Sequence, residues 1–144
     1  MEAKSQTTTI LVVDDERARR QAVADVLHRR GYGVLKAGSA AEVLEVLEVV
    51  TPELIMLDAM MPEVDRLTLL RQRSDGPRFP GVPIVMATAK TMPADRRSAW
   101  ERGASAFLAK PYTFEEVTSL VNYMLAPSES DSAPVNLVDR LASV

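Results

Sequence analysis

The chain has 144 residues, 47% of them hydrophobic: enough for one ordinary domain with a core and hardly enough for two. Its net charge of −3 gives no electrostatic reason to expect DNA, RNA or an anionic membrane as a direct partner, and the absence of cysteine excludes disulfides and thiolate metal sites. No apolar run approaches the roughly 20 residues of a membrane span, and the polar start from Met1 to Gln6 is no signal peptide, so the expectation is a soluble cytoplasmic protein.

Thr9 to Val13 is a short and almost continuous apolar run, the pattern of a strand covered on both faces. From about Glu16 to Arg30 the spacing turns helical. Val23, Val26 and Leu27 share one face, arginines lie opposite, and Gly31 is placed for a left-handed stop. Gly33 to Ala37 is a second strand. Ser39-Ala40-Ala41-Glu42 has the order of a capping box. It opens a helix that buries Val43, Leu44, Leu47 and Val50 while Glu42, Glu45 and Glu48 face water.

Leu54 to Leu57 is the third strand and runs straight into Asp58. A third helix starts near Val64, carries Leu67 and Leu70, and stops in the loop from Asp75 to Gly81, rich in glycine and proline. Val82 to Thr88 is the fourth strand. A fourth helix follows Pro93 and ends at Gly103, and Ala106 to Ala109 is the fifth strand. Thr113-Phe114-Glu115-Glu116 is another capping box, before a helix that buries Val117, Leu120, Val121 and Met124.

The order βαβαβαβαβα implies an α/β fold: a doubly wound parallel sheet of five strands with five helices over both faces. This domain takes residues 8–126. Residues 127–144 form a polar linker, Pro127 to Pro134, and a short segment, Val135 to Val144, with Val135, Val138 and Leu141 at amphipathic spacing. Alone that segment is too short for a stable helix in water. It offers a contact to its own domain or to a second copy, as a homodimer.

Ligands of such folds bind where parallel strands deliver their C-terminal ends. Those ends carry Asp14-Asp15-Glu16, Asp58, Thr88 and Lys110. Asp14, Asp15 and Asp58 cannot crowd together fully ionised without a cation, and carboxylates with water suit Mg2+. Lys110 is a flexible point charge able to hold Asp58 and then a phosphate oxygen, and the Thr88 hydroxyl can donate one hydrogen bond to it. The set fits phosphoryl transfer to a carboxylate, with Asp58 as the nucleophile.

Taken singly, these residues have plainer uses. Asp58 can cap a turn, Thr88 can cap a helix and Phe107 can be core. His28 reads as a solvated helix-end histidine, Met56, Met60, Met61 and Met86 as core filling, and Arg17, Arg19, Arg20, Arg29 and Arg30 as helix surface.

Together, Val12-Val13-Asp14-Asp15-Glu16, Leu57-Asp58-Ala59-Met60-Met61-Pro62, Ala87-Thr88-Ala89 and Leu108-Ala109-Lys110-Pro111-Tyr112 resemble the receiver domain of bacterial two-component response regulators, over about Thr8 to Leu125. The resemblance implies a flavodoxin-like sheet of order 2-1-3-4-5. It makes Asp58 the phosphoacceptor. Asp15, Asp58 and the Met60 backbone carbonyl become the direct Mg2+ ligands, with Asp14 acting through water. Thr88 becomes the switch hydroxyl, Phe107 the switch aromatic and Lys110 the phosphate-binding lysine, ahead of a cis Lys110–Pro111 bond.

Two departures stand out. Asp65-Arg66 replaces the family's usual Asp-Gly, and Met60, beside the phosphoryl position with Lys90, cannot orient an attacking water. The implied partners are a histidine kinase or phosphotransfer protein and a downstream protein target, engaged through the fourth helix, fifth strand and fifth helix. The implied role is a regulatory phosphoacceptor rather than an enzyme, beyond its own phosphotransfer and autodephosphorylation. An Asp-nucleophile phosphatase is the alternative, disfavoured because the second acid expected two residues after the first is Met60. Another is a receiver excised from a longer DNA-binding regulator.

Overall fold

The computed structural model describes residues 7–61, 81–89 and 104–126. The elements run β1 (Thr9–Val13), α1 (Arg17–Arg29), β2 (Gly33–Ala37), α2 (Ala40–Leu47), β3 (Leu54–Asp58), β4 (Ile84–Ala89), β5 (Ala106–Lys110) and α3 (Phe114–Leu125), the last being the fifth helix of the sequence reading. The expected third and fourth helices, Asp65, Arg66, Lys90 and the 127–144 tail lie outside the described residues.

All strand pairs are parallel, in the order β2-β1-β3-β4-β5. The fold is therefore the doubly wound, flavodoxin-like sheet. Its strands alternate between two cores because successive side chains leave opposite faces. Ile10, Val12, Met56, Val85 and Leu108 pack with Val23 and Leu27 of α1 and Val117, Leu120 and Val121 of α3. Leu11, Val13, Ile55, Leu57, Met86 and Phe107 pack on the other face with Val43 of α2. Each fully buried aliphatic side chain contributes roughly 1.5–3 kcal/mol, so β3, buried at all five positions, is firmly held.

Three strand boundaries differ from expectation. β3 continues through Asp58 because its ladder with β4 reaches Ala87. β4 starts at Ile84 rather than Val82, since Pro83 has no N–H to donate; its carbonyl instead accepts from Ile55 N–H at 3.0 Å. β5 runs on to Lys110, paired with Ala89, before a cis Lys110–Pro111 bond. The register thus brings the chain positions of Asp14, Asp58, Thr88 and Lys110 to one edge.

Helix ends follow local chemistry. At Gly31, with φ +99°, the N–H groups of Gly31 and Tyr32 donate to the carbonyls of His28 (3.0 Å) and Leu27 (3.2 Å), the two bonds of a Schellman stop. α3 has a complete capping box: Glu116 N–H donates to Thr113 Oγ1 at 3.0 Å, and Thr113 N–H to Glu116 Oε1 at 2.9 Å. The box expected at Ser39 is half made. Ser39 Oγ accepts from Glu42 N–H, but the Glu42 carboxylate reaches back one residue further and accepts from Gly38 N–H. Among the described residues no helix is long and apolar enough to cross a membrane.

Gly31 holds a left-handed backbone conformation that a side chain disfavours. Gly31→Ala should lower unfolding stability by about 1–2 kcal/mol, the penalty of a left-handed conformation for a residue with a Cβ. Urea denaturation monitored by circular dichroism checks this, and an unchanged midpoint would contradict it.

Candidate functional site

Two turns of the same design carry the acids. Asp14 follows β1, and its Oδ1 accepts the N–H of Glu16 at 2.9 Å. Asp58 ends β3, and its Oδ1 accepts the N–H of Met60 at 3.0 Å. A short acid that bonds the backbone two residues on redirects the chain sharply. The turn-capping use of Asp58 is thus real, and it leaves Oδ2 for other chemistry.

These turns push charge together. Asp14 and Asp58 are 4% and 3% exposed, and one oxygen from each lies within 4.8 Å of the other and of one from the exposed Asp15. Carboxylates withdrawn from water this far need charged or hydrogen-bonding partners. Lys110 supplies one, its Nζ 2.7 Å from Asp58 Oδ1.

Arg19 supplies the other, from the first turn of α1. Its Nε and Nη2 grip Asp14 Oδ2 and Oδ1 at 2.5 and 2.9 Å, in the bidentate geometry that suits guanidinium to carboxylate. Nη1 meets Glu16 Oε1 at 2.7 Å. Nη2 stands 3.4 Å from Asp58 Oδ2, too long for a strong hydrogen bond, so that contact is mainly charge attraction. Arg20 donates to the Asp14 carbonyl at 2.8 Å and passes over Gly38, where a Cβ would come within 2.9 Å of it.

Two groups titrate away from their ordinary values. The Arg19 guanidinium is held more firmly protonated, chiefly by its hydrogen bond to Asp14; burial opposes this, while the charges of Asp14, Asp58 and Glu16 add to it. The Tyr112 phenol is pushed up to about 12, first by burial and then by the negative charge of Asp14, with Asp58 and Glu16 adding and Arg19 opposing. Tyr112 lines the small pocket beside Asp14, Asp58 and Ala87.

The donor set suits a hard divalent cation. Asp14, Asp15 and Asp58 offer three acid oxygens in one cluster, and the exposure of Asp15 leaves room for the waters that Mg2+ keeps. The structure brings Asp14, Asp15, Asp58 and Lys110 together. Thr88 is buried near the end of β4, one register step beyond the Asp58–Ala87 pair. Met60 meets Asp58 through its amide, and its side chain is 52% exposed rather than core. Phe107 is buried in the core on the α2 side, opposite Met86.

Sequence reasoning missed Arg19 and Tyr112. In the sequence Arg19 reads as one of the solvated helix arginines, although its i,i+3 spacing from Glu16, in the turn after an acid pair, is a usable sign. Tyr112 carried no sign beyond its place two residues after Lys110.

The family model for the response regulator receiver domain matches residues 10–122. The chain is 33% identical over 129 residues to response regulator Rre1 of Synechocystis sp., covering 89% of this chain and 56% of that one. It is 38% identical over 119 residues to transcriptional regulatory protein BaeR of Escherichia coli, covering 83% and 48% respectively. It therefore spans about half the length of these curated relatives. Among solved structures it resembles chemotaxis response regulator CheY4 of Vibrio cholerae, with a TM-score of 0.71 and 27% identity over 83% of this chain and 100% of that one.

Tyr112 offers a direct probe of this charge balance. Because the fold raises its pKa from 10.0 to about 12, its contribution to stability is fully present below pH 10 and is lost as pH rises through about 12. Asp58→Asn should lower that pKa by removing a nearby negative charge, and Arg19→Ala should raise it further. NMR titration of ring-labelled tyrosine reads both shifts; a Tyr112 titration unmoved by either variant would contradict the charge assignment.

Proposed function

The chain belongs to the response regulator receiver domain family, and from that premise we propose that Asp58 accepts a phosphoryl group from a histidine kinase or phosphotransfer protein, with Mg2+ as cofactor. The supporting observation is the position of Asp58: 3% exposed at the end of the buried strand β3, beside Lys110 and the Asp14–Asp15 pair.

In the reaction an Asp58 carboxylate oxygen bonds to phosphorus. The donor's nitrogen–phosphorus bond breaks, and its electron pair stays on the imidazole. Strand β3 holds the nucleophile in place, so positioning is pre-set. Lys110 is within reach to follow the negative charge from the carboxylate to a phosphoryl oxygen. Asp15 and Asp58, with the Met60 carbonyl, would hold Mg2+, and Asp14 would act through water. Bound there, the ion neutralises charge on the incoming phosphoryl oxygens.

A phosphoryl group adds charge and acceptor oxygens, which draw the Thr88 hydroxyl and Lys110 toward it. Phe107 then changes rotamer, and the face built from the expected fourth helix, β5 and α3 changes its preference among protein partners. The equilibrium moves only as far as phosphorylation favours one arrangement over the other. This is a regulatory domain in signal transduction, and its own chemistry is limited to phosphotransfer and autodephosphorylation. The working unit is residues 8–126 in the cytoplasm, followed by a linker and contact segment at 127–144, with a homodimer as one use of that segment.

The phosphatase alternative is weakened by Met60, an exposed thioether where that chemistry places a second acid. A second reading concerns output. One relative is a transcriptional regulatory protein of which this chain covers 48%. In that reading the receiver governs a DNA-binding portion outside these residues, and nothing in this chain itself contacts nucleic acid.

Incubation with a small phosphodonor and Mg2+ should add one phosphoryl mass to the wild type and none to Asp58→Asn, and a chelator should abolish the gain. Equal labelling of both proteins would remove Asp58 from its role. Thr88→Ala should still accept the phosphoryl group yet lose most of the phosphorylation-dependent change in partner binding. A wild-type response from that variant, read by pull-down of the downstream partner, would remove Thr88 from the switch.

A further inference from the structure

We propose that Arg19 is an internal competitor for the divalent cation, so that loading the site requires its guanidinium to leave Asp14 and Asp58. The inference rests on the reading of this cluster as a Mg2+ site.

The argument starts from the carboxylate oxygens. Asp58 Oδ1 accepts from both Lys110 Nζ and the Met60 N–H, which fills its two lone-pair directions. The remaining oxygen, Oδ2, faces Arg19 Nη2. On Asp14, Oδ1 takes Glu16 N–H and Arg19 Nη2, and Oδ2 takes Arg19 Nε at 2.5 Å. The guanidinium therefore stands over Oδ2 of Asp58, the oxygen left for a direct metal bond, and over the Asp14 oxygens that would hold the metal's water. A dication bound there would sit a few ångströms from a fixed positive charge, in a site only partly open to water, where repulsion is strong. Arginine cannot relieve that repulsion by losing its proton.

The structure also supplies a place for the displaced group. Glu16, 55% exposed in its side chain, already takes Nη1 at 2.7 Å from the solvent side. Rotation of the partly exposed Arg19 side chain onto Glu16 alone keeps one ion pair while uncovering Asp14 and Asp58. Arg19 thus sets how much free cation the domain needs before it can accept phosphate.

The test is calorimetric titration of the purified protein with MgCl2 at fixed ionic strength. Arg19→Gln, which keeps a polar side chain with hydrogen-bond donors and removes the charge, and Arg19→Ala should each bind Mg2+ about tenfold or more tightly than wild type. Arg17→Ala removes the same charge from an exposed position in the same turn and should leave affinity within about twofold. Circular dichroism establishes that each variant is folded, and Arg19→Gln stands in if the alanine variant is not. Unchanged or weaker binding by the Arg19 variants overturns the proposal. So does equal tightening by Arg17→Ala, which would indicate a general field effect. If the wild type gains phosphoryl mass with Mg2+ while the Arg19 variants match its cation affinity, only the Arg19 inference fails. If no protein binds the cation or gains mass, the functional reading fails as well.

Discussion

Negative charge withdrawn from water is the constraint around which this domain is arranged. Asp14 and Asp58 lose nearly all their solvent, and Asp15 sits beside them. Isolated carboxylates in such a position would be protonated or would open the structure. The chain answers with Lys110 and Arg19, and with two backbone N–H groups from the turns that the acids themselves create. The two cations differ in kind. Lysine presents a mobile point charge to one oxygen, whereas arginine clamps a whole carboxylate with a rigid fork. The flexible partner lies on Asp58 and the rigid one on Asp14.

The sheet makes the crowding unavoidable. Parallel strands in register end together, so residues distant in sequence are delivered to one edge by hydrogen-bond ladders in the interior. Apolar packing on both faces fixes those ladders, and β3 shows this most clearly, with Leu54 to Leu57 buried up to the acid itself. Core packing thereby holds charges at separations they would not choose in solution.

Much of this was legible from residue order. The run at Thr9–Val13 marks its strand at both ends, because a strand buried on both faces leaves a continuous apolar signature; Gly33–Ala37 keeps its expected bounds too, although this edge strand is fully buried only at Ala37. Gly31 and the Thr113 box marked helix ends through chemistry local to a few residues. The apolar run stops at Leu57, and only the ladder to Ala87 shows that the strand itself includes Asp58. Arg19 is not legible in the sequence for a related reason. A charged residue on a helix reads as solvated unless the direction of its side chain is known, and that direction depends on acids brought in by other strands. Met60 reads as core on its residue type, yet a turn bonded through its backbone leaves the side chain outside.

The strand order has a kinetic consequence. β1 lies between β2 and β3, and none of the ladders is a hairpin; each joins segments separated by a crossover. Such long-range closures are slow steps in folding, since loop entropy is lost before the pairing compensates for it. Asp14 follows β1, Asp58 ends β3 and Lys110 ends β5, so a nascent or partly unfolded chain holds no assembled pocket. An assembled acid pocket therefore doubles as a report that the chain has finished folding.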